Sequence, residues 1–144
     1  MLHCTVVTPE RTVCDEAADF VALPLYDGEL GVAPRHTPLI GRLGCGELRI
    51  TGEQGVSRFY VEGGFVEVLG DEVSVLTARA IPARELDPAV AEEQLQSVRH
   101  RPAIGPEELS SRQRLADQYR AQLRISRRAR QVASVPQGGR RRDS

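Results

Sequence analysis

The chain has 144 residues, enough for one compact domain with an appendage, and its apolar 40% includes no Trp and only three Phe and three Tyr, so we expect an aliphatic core. No apolar run approaches the roughly 18 residues of a membrane-spanning helix, and the first residues lack a signal-peptide pattern, so we expect a soluble protein that is not exported. The net charge of −1 conceals an asymmetry, because residues 1–108 carry 18 acidic side chains and nine Arg, whereas residues 109–144 carry two acidic side chains and ten Arg.

Short β-branched and apolar runs, separated by turn residues, fill the first part of the chain. In Phe20–Leu25, Val21, Leu23 and Leu25 alternate at period two, as in a sheet with one buried side. Comparable runs are Leu2–Thr8, Thr12–Cys14, Gly44–Ile50, Ser57–Val61, Phe65–Leu69 and Val73–Thr77. Their spacing predicts an all-β sandwich of about ten short strands over residues 1–84, with no helix before residue 80.

The stretch from Asp27 to Ile40 is predicted to be a shaped loop that contains a short strand at most. Gly28 and Gly31 permit positive φ angles, and Pro34 and Pro38 remove backbone donors that a sheet would use. Structured loops of this length usually have a function.

Two amphipathic helices are predicted after the strands. Asp87-Pro88 supplies an N-cap and a first-turn proline, and Ala91, Leu95 and Val98 follow at spacings of four and three. The first helix should therefore end near residue 100.

The second helix should begin near Gly105 and continue to about Val132, with Ala116, Tyr119 and Leu123 on one stripe. The short connection predicts an antiparallel helical hairpin over residues 85–135. Residues 136–144 are expected to form a disordered, Arg-rich tail.

Few residues support an enzyme. The sequence has no phosphate-binding loop of the Walker type, no nucleophile elbow and no His/Glu metal motif. His36 could act as an acid or base, but no carboxylate or nucleophile is tied to it by spacing. Cys4, Cys14 and Cys45 lie far apart and are expected to be buried thiols in a reducing compartment. We therefore expect no catalytic residues, no metal site and no cofactor.

The Arg-rich segment from Arg112 to Arg130 has three interpretations. It is a solvated helix face, a surface for nucleic acid phosphates, or a surface for an acidic protein. Nucleic acid binders usually interleave aromatic side chains with the basic stripe, and Tyr119 alone is available here.

Three segments resemble a known family. Gly28–Leu39, with Gly31, Pro34, His36 and Pro38 inside it, is similar to the signature of the epsilon subunit of F-type ATP synthases, which is called delta in mitochondria. Tyr60–Val68 resembles the Gly-Gly-Phe hairpin of that family, and Val6–Glu10 resembles its first strand and turn.

The resemblance implies a non-catalytic subunit of the central stalk. Such a subunit binds the gamma subunit and the c-ring, and couples rotation driven by ion flow to ATP synthesis. The residues implied to contact gamma and the c-ring are Gly31, Pro34, Arg35, His36 and Pro38. The protein would then be peripheral to the cytoplasmic face of the inner membrane of a bacterium.

The resemblance also implies a regulatory role for the hairpin. In the family the hairpin can extend beside gamma, where its basic residues meet acidic segments of the alpha and beta subunits and ATP hydrolysis is inhibited. The corresponding residues here are Arg120, Arg124, Arg127, Arg128 and Arg130. Whether this hairpin is folded down or extended stays open.

Some family members bind ATP in the folded-down hairpin through an Ile/Leu-Asp-x-x-Arg-Ala motif and arginines of the second helix. Here Leu86-Asp87 matches, but Val90 occupies the arginine position. Asp87, Arg124 and Arg128 would form a degenerate ATP site, and we expect weak or absent ATP binding because a bidentate phosphate donor is missing.

Two alternatives come from other classes of protein. One is a free-standing β-sandwich binding module whose Arg-rich helical tail binds nucleic acid, although nucleic acid is not the partner that we expect. The other is a small-molecule enzyme built around His36.

Overall fold

The computed structural model describes the backbone of residues 1–134 and the side chains of residues 1–129. Ten strands precede a short 3-10 turn and two helices. The strands are β1 (Leu2–Val7), β2 (Thr12–Ala18), β3 (Phe20–Leu25), β4 (Gly28–Val32), β5 (Leu39–Arg42), β6 (Cys45–Gly52), β7 (Gly55–Glu62), β8 (Phe65–Leu69), β9 (Glu72–Leu76) and β10 (Ala80–Pro82). The 3-10 turn is Ala83–Glu85, and the helices are α1 (Pro88–Arg99) and α2 (Gly105–Ser134). The predicted fold class, an all-β sandwich of about ten strands followed by a helical hairpin, is confirmed.

The strands form two five-stranded sheets that enclose one aliphatic core. The first sheet has the order β2-β1-β9-β8-β5, and the second has the order β10-β7-β6-β3-β4. β1 and β9 pair in parallel, whereas β8 and β9 pair as an antiparallel hairpin. Alternate residues of both sheets point into the core, as their period-two pattern predicts. The core contains Leu2, Cys4, Val6, Val21, Leu23, Val32, Leu48, Ile50, Val61, Val66, Val68, Val73 and Val75.

Several strand boundaries differ from the prediction. The predicted loop Asp27–Ile40 contains all of β4, because Gly28–Val32 pairs in register with β3. The strand predicted at Thr12–Cys14 continues to Ala18, where it still pairs with Leu2 of β1. β10 was not predicted, because it has three residues, ends in proline and pairs only with the edge of β7.

The chain bends at Gly63-Gly64, inside the segment that resembles the Gly-Gly-Phe hairpin, and both glycines have positive φ angles of 64° and 106°. A Cβ atom on Gly64 would collide with the backbone of Leu76, the last residue of β9, and of Thr77 after it. Glycine is therefore required at Gly64 by its φ angle and also by the close approach of two backbones.

Helix α1 begins and ends where the sequence predicts. The Asp87 carboxylate accepts hydrogen bonds from the backbone N–H groups of Ala89 at 2.9 Å and Val90 at 3.4 Å, and Pro88 occupies the first turn. At the start of α2, the Glu108 carboxylate accepts a bond from the Ile104 N–H at 2.7 Å.

Helix α2 packs on two sides. On one side lies the predicted stripe of Ala116, Tyr119 and Leu123. This stripe packs against Leu95 and Val98 of α1.

A second apolar face of α2, which was not predicted, packs on the sandwich. Ala121 and Ile125 are buried against Tyr60 of β7 and against Ala83 and Leu86 near the 3-10 turn. The hairpin is therefore folded down on the outer face of the second sheet. None of the helices in residues 1–134 is long and apolar enough to cross a membrane. The predicted tail, residues 136–144, lies outside the described residues.

Candidate functional site

The β4–β5 loop presents its side chains outward from one end of the sandwich. Pro34, Arg35 and Pro38 are exposed, and His36 is partly exposed. Arg35 has a φ angle of 67°, and its N–H donates a 3.0 Å hydrogen bond to the Asp71 carboxylate. Because Asp71 lies in the β8–β9 turn, the loop is fixed to the body of the first sheet.

His36 contacts its own loop. One ring nitrogen, Nδ1, lies 2.7 Å from the Thr37 carbonyl oxygen. In the part of the chain that the structure describes, no carboxylate, thiol or hydroxyl group is hydrogen-bonded to the His36 ring. An orienting partner and a nucleophile are what an acid–base site on His36 would need, and the geometry supplies neither.

Gly31 has a packing role that the sequence did not reveal. It lies in β4 opposite Ala22 of β3, and a Cβ atom there would stand 2.7 Å from Cζ of Phe20. The Phe20 ring therefore lies over Gly31, and a larger residue there would require this partly exposed ring to move. Contact of Gly31 with a partner stays a prediction.

Four exposed apolar side chains lie on the outer face of the first sheet, and two of them, Ile40 and Leu69, lie towards the β4–β5 loop. We call these residues the outer patch, and their exposed fractions are 74% for Ile40, 58% for Phe65, 58% for Leu69 and 55% for Leu76. Phe65 of β8 lies directly opposite Leu76 of β9. The sequence contained a signal for this patch, because Phe65 and Leu69 occupy outward positions of a strand where alternation would place polar residues.

Of the four predicted regulatory arginines with described side chains, three are paired with carboxylates. Arg120 bonds Asp117 on the same helix at 3.0 Å, and Arg127 lies 3.8 Å from Glu92 of α1. Arg128 donates to Glu47 of β6 at 2.7 Å. Arg124 is exposed and has no ion pair among the described residues, and the side chain of Arg130 lies outside them.

An open groove of about 500 Å³ lies between α1 and α2. It is lined by Glu92, Leu95, Arg99, Arg120, Leu123, Arg124, Arg127 and Arg128. The structure therefore brings Arg124 and Arg128 of the predicted degenerate ATP site together. It does not bring Asp87 to them, because Asp87 caps α1 outside the groove. Val90, at the motif arginine position, is 49% exposed.

The cysteines lack the environment of reactive thiolates. Burial, reinforced by Glu16, raises the pKa of Cys4 to about 12. Burial and a 2.8 Å hydrogen bond from Cys14 to Glu16 raise the pKa of the Cys14 thiol. Partial desolvation and Glu62 also raise the pKa of the Cys45 thiol. Cys45 is exposed as a residue and Cys14 is half-buried, so the expectation of three buried thiols is confirmed for Cys4 alone. No cluster of three potential metal ligands occurs among the described residues.

Comparisons with known proteins decide the family. Residues 1–83 match the family model described as ATP synthase, Delta/Epsilon chain, beta-sandwich domain. The ATP synthase epsilon chain of Rhodopirellula baltica is 48% identical over 126 residues, which cover 88% of this chain and 98% of that relative. The chain belongs to the delta/epsilon-chain family of ATP synthases.

Other relatives agree with this assignment. The ATP synthase epsilon chain of Carboxydothermus hydrogenoformans is 44% identical over 96 residues, covering 67% of this chain and 72% of that relative. As a member of this family, the protein is a non-catalytic subunit of its complex, as predicted. The assignment sets aside the two alternatives, a free-standing nucleic acid binding module and an enzyme built around His36.

Two solved structures share the fold. A chain of the Euglena gracilis mitochondrial ATP synthase structure, which contains OSCP, F1 and the c-ring, has a TM-score of 0.69 and 21% identity, covering 92% of this chain and 81% of that chain. A chain of the central stalk and c-ring structure of the Tetrahymena thermophila mitochondrial ATP synthase has a TM-score of 0.68 and 13% identity, covering 87% of this chain and 96% of that chain. Both extend the similarity of fold through the helical hairpin.

Proposed function

We propose that this chain is the central-stalk subunit that fastens the c-ring to the gamma subunit in a bacterial F-type ATP synthase. The observation that carries the proposal is the fixed, outward-facing β4–β5 loop beside the outer patch. Exposed apolar strips of this kind mark protein interfaces, and a loop held in one shape loses little entropy on binding. The contact residues are Pro34, Arg35, His36 and Pro38 of the loop, with Gly31 shaping the strand that enters it.

The outer patch would supply most of the affinity. Ile40 is the second residue of β5 and lies opposite Glu67 of β8, and Phe65 of β8 and Leu76 of β9 form a directly opposed apolar pair further along the same face. Burying them against gamma would remove apolar area from water, worth about 25 cal/mol for each Å². The loop residues would then fix the orientation of the subunit and reach the c-ring.

The role of the subunit is mechanical. Rotation of the c-ring must reach gamma without slipping, and a rigid sandwich bound to both partners resists that slip. These contacts would hold the protein at the cytoplasmic face of the inner membrane as a peripheral subunit. Only the hairpin would contact the alpha and beta subunits.

Coupling can be tested in membrane vesicles that contain the ATP synthase of the same organism. The chain is removed and then restored as the natural protein or with Phe65→Ser and Leu76→Ser together. We expect ATP-driven proton pumping per ATP hydrolysed to fall without the chain and to recover only with the natural protein. Full pumping with the double variant would refute the patch as the coupling surface.

We also infer that the hairpin inhibits ATP hydrolysis when it extends. Arg120, Arg124, Arg127, Arg128 and Arg130 would then meet acidic segments of alpha and beta. The support is the excess of arginine over acidic residues on α2 and the small size of the Ala121 and Ile125 contact that holds the helix down. Truncation after residue 86 should raise the hydrolysis rate of the complex and leave its assembly intact. An unchanged rate would contradict inhibition.

A further inference from the structure

One carboxylate on the sandwich holds two arginines from different parts of the molecule. Glu47 of β6 accepts a hydrogen bond from Arg58 of β7 at 3.1 Å and another from Arg128 of α2 at 2.7 Å. The two bonds use different carboxylate oxygens, Oε2 for Arg58 and Oε1 for Arg128. We call these three residues the Glu47 triad.

The triad lies at the edge of the contact between hairpin and sandwich. Glu47 is paired across the sheet with Tyr60, which is fully buried beneath Ala121 and Ile125. Side chains directly opposite each other on an antiparallel pair share one face, so Glu47 faces α2. The Glu47 side chain is only 10% exposed, compared with 45% for Arg128.

The other ion pairs cannot hold the hairpin down in this way. Arg127 pairs with Glu92, which belongs to α1 and moves with the hairpin. Arg120 pairs with Asp117 on α2 itself. Among the described side chains, Arg128 alone joins α2 to the sandwich by an ion pair.

We propose that the Glu47 triad is a reversible latch of the folded-down hairpin, in which Arg58 keeps Glu47 neutralised whenever Arg128 leaves. Glu47 is 10% exposed while α2 covers it, so release of the hairpin returns this carboxylate to water and removes Arg128 from it. Arg58 stays on β7 beside Glu47 in both states, so it remains paired with the released carboxylate and lowers the cost of losing Arg128. The contact therefore adds to docking and can still be broken.

The latch deepens the proposed inhibition by the hairpin and rests on it for its biological role. Arg128 is one of the arginines assigned to the acidic surface of alpha and beta. When the hairpin is down, its guanidinium group is already occupied by Glu47. When the hairpin extends, Arg128 would leave the Glu47 carboxylate and bind a carboxylate of alpha or beta. An acidic partner therefore competes directly with Glu47 for Arg128.

The latch makes predictions of opposite sign for the two arginines. Glu47→Gln and Arg128→Gln remove the bond between hairpin and sandwich, and each should increase the undocked population about 10-fold. Arg58→Gln leaves Arg128 as the main partner of Glu47, so it should decrease the undocked population about threefold. A simple structural role for the triad would make all three substitutions loosen the protein.

The experiment uses the full chain without other ATP synthase subunits, so its outcome does not depend on the rotor role. Undocking is measured by NMR amide hydrogen exchange at Ala121 to Ile125, and exchange in β1, β8 and β9 reports the integrity of the sandwich. Glu29→Gln is the matched control, because Glu29 pairs with Arg49 at 3.4 Å on the same sandwich and does not contact the hairpin.

The double variant Glu47→Gln with Arg128→Gln should exchange no faster than either single variant, because both remove one interaction. If Glu47→Gln also increases hydrogen exchange in β1, β8 and β9, the conclusion is drawn from Arg128→Gln, because Arg128 lies in α2 and not in the sandwich. The proposal is overturned if Arg128→Gln behaves like Glu29→Gln, or if Arg58→Gln loosens the hairpin. If the exchange results agree with the latch but the hairpin does not inhibit ATP hydrolysis in the complex, the proposed inhibition is wrong and the latch stands.

Discussion

The Arg35 N–H group donates a hydrogen bond to the Asp71 carboxylate at 3.0 Å and joins two loops at one end of the sandwich. Asp71 is held in turn, because its carbonyl oxygen accepts a bond from the His3 N–H at 2.8 Å. Arg35 is the one non-glycine residue with a positive φ angle among the described residues. Such a conformation costs about 1 kcal/mol or more and persists only where the surroundings fix it.

Replacing Asp71 with Ala should therefore loosen the loop without unfolding the sandwich. We expect the free energy of unfolding in urea to fall by about 1 kcal/mol, the net contribution of a typical hydrogen bond, because this one is exposed to solvent. NMR relaxation should show increased motion at Arg35 to Thr37. Glu72→Ala is the control, because Glu72 is the exposed neighbour of Asp71 in the sequence. Equal motion in the two variants would show that Asp71 does not hold the loop.

Gly64→Ala should be far more destabilising than Gly55→Ala. Both residues have positive φ angles, 106° and 124°, so both substitutions carry backbone strain of about 1 kcal/mol or more. A Cβ atom at Gly64 would in addition collide with the β9 backbone, whereas nothing lies within 4 Å of one at Gly55. We expect a loss of more than about 3 kcal/mol, or no folded protein, for Gly64→Ala. Similar midpoints in urea for the two variants would contradict the close approach.

The outer patch should bind gamma without supporting the fold. Phe65→Ser should weaken gamma binding about 10-fold, a typical effect for an apolar residue at the centre of an interface. Replacing His36 to Pro38 with Gly should also weaken binding and leave the sandwich folded. Val56→Ser is the matched control, because Val56 is 47% exposed but lies on β7 of the other sheet. Calorimetry with purified gamma measures each affinity, and an equal effect at Val56 would remove the patch assignment.

The groove between the helices should bind ATP weakly or not at all. Asp87 is engaged as the α1 cap, Val90 offers no phosphate donor, and Arg128 is occupied by Glu47. Calorimetry of the isolated chain should show no saturable binding below about 1 mM ATP. A Kd of about 1 mM corresponds to a binding free energy of only about −4 kcal/mol. Sub-millimolar affinity would show that the remaining groove arginines are sufficient.

The elements that local signals define were predicted well. The Asp87-Pro88 cap placed the start of α1 at the correct residue, and β3 and β8 have the ends that the sequence predicted. β10 escaped prediction because three residues with a proline carry no period. The docking face of α2 escaped as well, because its buried residues, Ala121 and Ile125, include a single large apolar side chain.

The site was predicted in part, because some of its contacts depend on the tertiary fold. The loop was predicted from its glycines, prolines and family signature, all of which are local. Glu47 and Arg128 lie 81 residues apart, and no spacing rule connects them. Gly31 was interpreted as a contact residue, whereas its close contact with the Phe20 ring becomes visible only when β3 and β4 are paired.

The most direct test is co-elution of the full chain with the gamma subunit from the same genome on a sizing column. Moderate salt should be present, because it screens nonspecific arginine contacts over distances beyond about 10 Å. A stable one-to-one complex is the result expected of a central-stalk subunit that binds through its loop and outer patch. Separate elution of the two proteins, with this chain folded and monomeric, would contradict that role.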